Sequence, residues 1–187
     1  MFKKSLLLGA LALGLSLGAV AKDWKEIRVA IDPTYKPFTY KTDDGKPTGF
    51  DVDIAQALCD LNKVKCVFVE QIWDGMIPGL QARKYDAIIS SMSITPDRMK
   101  VVAFTGKYYN TPSQIILDPP DGKDYVFVGK PLGKFVNYFG DGAGIAVRKQ
   151  DKDLRTMLDK GITSLRTNGT WQTINDKYFA GTSVWGD

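Results

Sequence analysis

Ser90, Ser91, Ser93 and Arg98 lie within nine residues of one another and together could hold a carboxylate. A guanidinium fork with neighbouring hydroxyls and open backbone N–H groups matches an anion that accepts two hydrogen bonds side by side. Elsewhere Asp32 offers an anion, and Tyr35 and Trp73 offer aromatic faces. An anion, a cation, hydroxyls and aromatic rings suit a zwitterion whose side chain is apolar or cationic. Each residue also has a plain structural reading. Asp32 can cap a turn, Tyr35 and Trp73 can fill a core, and Arg98 can pair with Asp97 or cap a helix. The chain has no histidine, which removes Ser-His and Cys-His catalysis and most zinc chemistry. Glycines at 140, 142 and 144 do not open a helix, so they are no dinucleotide fingerprint.

The elements that must position these residues follow from periodicity. Ile27–Ile31 is a β-rich run stopped by Asp32-Pro33, with a loop to Phe38 and a tight turn over 43–47. Phe50, Ile54, Leu58 and Leu61 recur at helical spacing, and the helix ends near Leu61-Asn62. Lys65–Glu70 is a second strand, Trp73–Ala82 a helical segment with Pro78 near its first turn, and Asp86–Ile89 a third strand. Strand, helix, strand, helix, strand predicts an α/β fold with a mainly parallel sheet flanked by helices. In such sheets ligands bind beyond the carboxyl ends of the strands. Those ends deliver Asp32 and Tyr35, then Trp73, then Ser90, Ser91, Ser93 and Arg98.

Further on, Val101–Phe104 reads as a strand, Tyr108–Pro112 as a loop, and Ser113–Leu117 as another strand. The segment 118–141 is rich in Gly, Pro and Asp, with one β run at Tyr125–Val128. Gly142–Arg148 is a last strand. Asp151 is placed to cap an amphipathic helix carrying Leu154, Met157, Leu158, Ile162 and Leu165, which Asn168-Gly169 stops. Gly161 within it costs about 1 kcal/mol relative to alanine. Thr170 starts a shorter helix with Trp171, Ile174 and Tyr178 inward.

The first residues read as a secretory signal peptide: a basic Met1–Lys4, an apolar stretch from Leu6 to Gly18, and the cleavage site Ala19-Val-Ala21. The expected domains are therefore residues 1–21 as signal and 22–187 as one α/β unit. Removing Lys3 and Lys4 brings the formal charge of +4 closer to neutral, and the charges are interspersed, so nucleic-acid binding has no support. Cys59 and Cys66 are the two cysteines, and in an exported protein an even pair reads as a disulfide. Closing so short a loop stabilises by roughly 2–3 kcal/mol.

Asp32-Pro-Thr-Tyr35, Gly49-Phe-Asp-Val-Asp53, Ser90-Ser-Met-Ser-Ile-Thr95 with Arg98, and Phe104-Thr105 resemble the periplasmic polar amino-acid-binding proteins of ABC importers. The resemblance is strongest to the lysine/arginine/ornithine- and histidine-binding branch of solute-binding protein family 3, and Cys59–Cys66 matches that branch's disulfide. The tail from Gly144 through Asn168-Gly-Thr170 to Phe179 also resembles the family's closing segment. The resemblance implies a type II periplasmic binding protein, with two α/β lobes joined by two crossover strands and ligand enclosed between them. Here Ser113–Leu117 resembles the outgoing crossover and Gly142–Arg148 the returning one. Only 118–141 lies between, too short for a second core. The expectation is a single Rossmann-like lobe made of 22–117 and 142–187.

Carried over residue by residue, the resemblance gives Arg98 and Ser93 to the ligand α-carboxylate and Ser91 to the α-amino group. Asp32 and Ser90 would face a cationic side-chain end, with Tyr35 and Trp73 packing its stem. The carboxylate that the second lobe supplies for the α-ammonium has no counterpart. The expected function is thus weak recognition of a cationic or polar free amino acid, millimolar or worse as an order of magnitude. An inner-membrane ABC permease is the expected partner, with no cofactor, metal or catalysis. A homodimer through the open cleft is a second expected partnership, since Tyr35, Trp73 and Tyr108 would otherwise form an exposed aromatic patch. The rival readings are a ligand-independent interaction module for a permease or sensor, and a dehydratase-like enzyme on the same scaffold.

Overall fold

The computed structural model describes residues 23–110, 115–117, 126–128, 140–180 and 182–185. The segment read as a signal peptide and most of 111–139 lie outside the described residues. Five strands form the main sheet in the order β4-β1-β5-β9-β6. They are β1 (Glu26–Ile31), β4 (Lys65–Glu70), β5 (Ala87–Ile88), β6 (Ala103–Tyr109) and β9 (Ala143–Val147). β4 and β5 flank β1 in parallel, with Val29 opposite both Phe68 and Ala87. β9 runs antiparallel between β5 and β6. The parallel part arises because helical connections separate β1, β4 and β5 in the chain.

Two short ladders lie outside this sheet: β2 (Tyr40–Lys41) with β3 (Pro47–Thr48), and β7 (Ile115–Leu117) with β8 (Val126–Val128). The predicted strand at 113–117 and the β run at 125–128 thus pair with each other. Residues 113, 114 and 125 are outside the described set.

The strands sort their side chains by the period of two. Ile27, Val29 and Ile31, Ala87 and Ile89, and Ile145 and Val147 enter one core, while Ala30, Ile88 and Ala146 enter the other. Three helices cover the first core: α1 (Phe50–Leu61), α4 (Lys152–Thr167) and α5 (Thr170–Phe179). The second core is closed by α2 (Met76–Gln81), through Met76 and Leu80, and by Tyr85, Met92 and Val102. The Cys59–Cys66 disulfide, expected of an even cysteine pair in an exported chain, joins the last turn of α1 to the start of β4.

Two glycines show why the helices seat where they do. Gly49, just ahead of α1, has φ 126°, and a Cβ there would lie 2.2 Å from the Phe38 carbonyl oxygen. Gly161 lets α4 approach α1, since its Cβ would fall 2.6 Å from Leu58 Cδ2. Its cost in helix propensity is offset by that close packing.

Three expectations are corrected. Tyr108 and Tyr109 are not in a loop: β6 runs to Tyr109, and both rings are buried, so Tyr108 is no part of an exposed aromatic patch. Their packing against Phe50 and a hydrogen bond from Trp171 Nε1 to the Tyr108 carbonyl (2.7 Å) draw the strand onward. At its other end β6 begins at Ala103 rather than Val101, because the short helix α3 (Pro96–Met99) and the turn after it take up Val101 and Val102. Asp151 occupies the N-cap position of α4 but makes no side-chain cap bond. Its carboxylate lies instead 2.6 Å from the buried guanidinium of Arg148, whose charge outcompetes a neutral amide N–H.

Candidate functional site

The carboxyl ends of β1, β4 and β5 open into a cleft of about 350 Å³. It is lined by Asp32, Thr34, Tyr35, Trp73, Ser90, Ser91, Ser93 and Arg98. All seven residues singled out from the sequence therefore meet at one place, and Thr34 joins them.

Asp32 follows β1 directly, where Pro33 ends the strand. Its backbone N–H donates to Ser90 Oγ at 3.0 Å, tying the end of β1 to the end of β5. Its carboxylate accepts from the Thr34 hydroxyl (2.7 Å) and from the Trp73 backbone N–H (3.0 Å). The turn-capping reading of Asp32 is thus part of the structure, and the half-buried carboxylate still has acceptor capacity toward the cleft. Trp73 and Tyr35 are not core residues: they are 41% and 55% exposed.

Arg98 is carried by α3, which Thr95 caps by accepting from the Arg98 N–H and Pro96 starts. The guanidinium donates to the Ser93 carbonyl at 2.9 Å and lies 5.3 Å from the Trp73 ring centroid. Asp97 does not pair with it, because Asp97 binds Lys100 at 2.7 Å. Burial lowers the Arg98 pKa from its ordinary value, but a guanidinium stays charged at neutral pH. Trp73 therefore stands between a carboxylate held at its backbone and a guanidinium held at its ring.

Beneath the cleft lies a group that received no role from the sequence. Asp51, in the first turn of α1, is fully buried. It accepts from the hydroxyls of Ser91 (2.8 Å), Tyr108 (2.9 Å) and Thr39 (3.2 Å). Asp51 was visible in the Gly49–Asp53 motif, but an acid in a first helical turn ordinarily serves the helix dipole. Tyr108 was hidden by its placement in a loop.

Burial pushes the Asp51 pKa up to about 6 from 3.8, against the hydrogen bonds of Ser91, Tyr108 and Thr39. A carboxyl whose folded pKa is raised binds its proton more tightly in the folded chain. Its contribution to stability is complete below about pH 4 and is lost as pH rises through about 6. Urea unfolding between pH 4.5 and 7.5 is expected to show stability falling with pH, by about 2 kcal/mol from this group. Asp51→Asn should flatten that slope, and equal slopes in both proteins would remove the assignment. Asp86 acts oppositely but below this window. Burial would raise it, yet Arg28 and Arg148 outweigh burial and hold it below the ordinary carboxylate range.

The family profile described as bacterial extracellular solute-binding proteins, family 3, matches residues 27–181. The L-arginine-binding protein of Pseudomonas aeruginosa is 38% identical over 253 positions, covering 95% of this chain and 97% of that protein. The lysine/arginine/ornithine-binding periplasmic protein of Escherichia coli K12 is 30% identical, covering 99% of this chain and all of that protein. Among solved structures, the arginine-bound form of domain 1 from TmArgBP has a TM-score of 0.57 at 30% identity. That match covers 75% of this chain and 94% of the other.

Proposed function

Because the chain belongs to the bacterial extracellular solute-binding proteins of family 3, we propose that it is a periplasmic receptor for cationic amino acids. It would deliver arginine, lysine, ornithine or histidine to an inner-membrane ABC permease. The observation that carries the reading is the cleft itself. Arg98 and the Ser90–Ser93 shelf suit an α-carboxylate, Trp73 and Tyr35 suit an aliphatic stem, and Asp32 suits a distal cation. The relatives reported above are binding proteins by name, which favours recognition over catalysis. The latter is named as periplasmic, in keeping with the signal-like first residues.

The receptor has one wall in this reading. An alignment of 253 positions onto a chain of 187 residues means that the Pseudomonas protein carries several dozen residues this chain lacks. A single domain of a related protein in an arginine-bound form supports retention of ligand by such a wall. A ligand half exposed to water gains little from ion pairs, so affinity is millimolar as an order of magnitude. A thermal-shift panel tests this: arginine, lysine and ornithine should raise the melting temperature only at millimolar concentrations and above, with glutamate inert. No shift with any amino acid would sink the reading, and a micromolar constant by calorimetry on a monomer would sink the single wall. The exposed rim of Tyr35, Ile72 and Trp73 also suits a second copy placed cleft to cleft. Sedimentation with arginine present should then show a dimer, and a monomer at high concentration under both conditions would discard it.

A further inference from the structure

Ser93 stands beyond the end of β5, and a segment from far along the chain holds it there. β5 pairs with β9 up to Ile88 opposite Ala146. The two meet again at an isolated antiparallel bridge between Ser93 and Ala143. Between these points the shelf takes five steps and β9 only three, so the shelf bulges around Ser91, whose φ is 54°. Three backbone bonds then close a seam. Gly144 N–H donates to the Met92 carbonyl (3.1 Å), Ile94 N–H to the Gly142 carbonyl (2.9 Å), and Asp141 N–H to the Ile94 carbonyl (3.0 Å). Within it the Ser93 carbonyl accepts from Arg98 Nη1 at 2.9 Å. One seam thus carries both Ser93 and the anchor of Arg98, and both residues line the cleft.

The seam begins at Gly140, where φ is 82°. A Cβ there would lie 2.8 Å from Ser93 Cβ and 2.8 Å from the Ile94 carbonyl oxygen. Both contacts are closer than a side chain tolerates, and the backbone itself is one that glycine adopts at least cost. Any larger residue must push the shelf away or leave the seam. We propose that Gly140 is a positioning residue: by letting the returning chain lie against Ser93, it fixes the carboxylate end of the cleft. The proposal rests on the reading that the cleft holds a free amino acid, and it adds a residue outside the cleft lining that sets where Ser93 and Arg98 stand.

The test titrates arginine and agmatine, which lacks the carboxylate, by NMR. Wild type should prefer arginine. In Gly140→Ala the methyl displaces Ser93 and Ile94, and Arg98 moves with its carbonyl anchor. Arginine should then bind about tenfold more weakly, with little change for agmatine. Gly169, ahead of α5, has the same φ of 82° but open space where its Cβ would be. Gly169→Ala therefore adds the backbone strain without the contact and should keep the preference. Hydrogen exchange on wild type covers the case in which Gly140→Ala does not fold. If binding the carboxylate needs the seam, the carboxylate must in turn strengthen it. Arginine at ten times its Kd should slow exchange at the Ile94, Asp141 and Gly144 amides about tenfold, and agmatine at equal saturation should not. An intact preference in Gly140→Ala, equal losses for both ligands, a lost preference in Gly169→Ala, or equal slowing by both ligands would overturn the proposal and leave the receptor reading in place. Wild type that binds neither compound would end both.

Discussion

Arg98→Met is expected to weaken arginine binding by more than about tenfold. A hydrogen bond to a charged group contributes about 1.5–3 kcal/mol, and each 1.4 kcal/mol is about a factor of ten in affinity. The cleft is open to water, so the loss belongs at the lower end of that range. Methionine keeps much of the stem over Trp73 and removes only the fork. The variant also loses the bond from Arg98 to the Ser93 carbonyl, which should lower stability by about 1 kcal/mol. Two measurements separate these effects: NMR titration with arginine, and titration with agmatine, which is arginine without the carboxylate. If Arg98 holds the α-carboxylate, the variant loses affinity for arginine and not for agmatine. Equal affinity for arginine in wild type and variant would remove Arg98 from the site.

The largest loss of stability is expected at the opposite end of the sheet, from Arg148→Met. Arg148 is 5% exposed and donates to the carbonyls of Leu80 and Tyr85. It also pairs with Asp86 at 3.1 Å and lies 2.6 Å from Asp151. The Asp151 oxygen that approaches it has no aligned hydrogen bond, so that contact is Coulombic. Methionine would leave two carbonyls and the Asp151 carboxylate without their cation. Asp86 would keep its three bonds from Arg28, two from the guanidinium at 2.9 and 3.0 Å and one from the backbone N–H at 3.2 Å. Breaking a buried pair from one side costs about 3–5 kcal/mol, and the surviving Arg28 pair points to about 3. Urea unfolding measures this directly. A change below about 1 kcal/mol would mean that water replaces the guanidinium readily. The experiment also serves as a control, because a receptor destabilised at Arg148 should still bind arginine at temperatures where it remains folded.

The sequence carried most of the architecture because local pattern and tertiary demand agree along β1, α1, β4 and β5. In that stretch apolar spacing, Asp32-Pro33 and Asn62 all mark the same boundaries, and the parallel order follows from the alternation of elements. Where local signals were silent, contacts made far along the chain decided. Tyr108-Tyr109 beside Asn110 and Pro112 has the look of a loop, and only the aromatic packing on Phe50 and Trp171 turns it into strand. The Asp151 carboxylate has the residue type and position of a cap, and only the buried Arg148 shows where its charge is drawn.

The site divides in the same way. Residue type together with place after the strand ends singled out Asp32, Tyr35, Trp73, Ser90, Ser91, Ser93 and Arg98, and these residues line one cleft. Charge, aromatic character and donor capacity are properties of the residue itself, so they can be read before folding. What only the tertiary structure decided is the direction of hydrogen bonds. Asp51 is 40 residues from Ser91 and Tyr108 is 57 from Asp51, and no spacing rule joins them. Burial brings them together, removes water as an alternative partner, and so leaves the Ser91 hydrogen only one way to point.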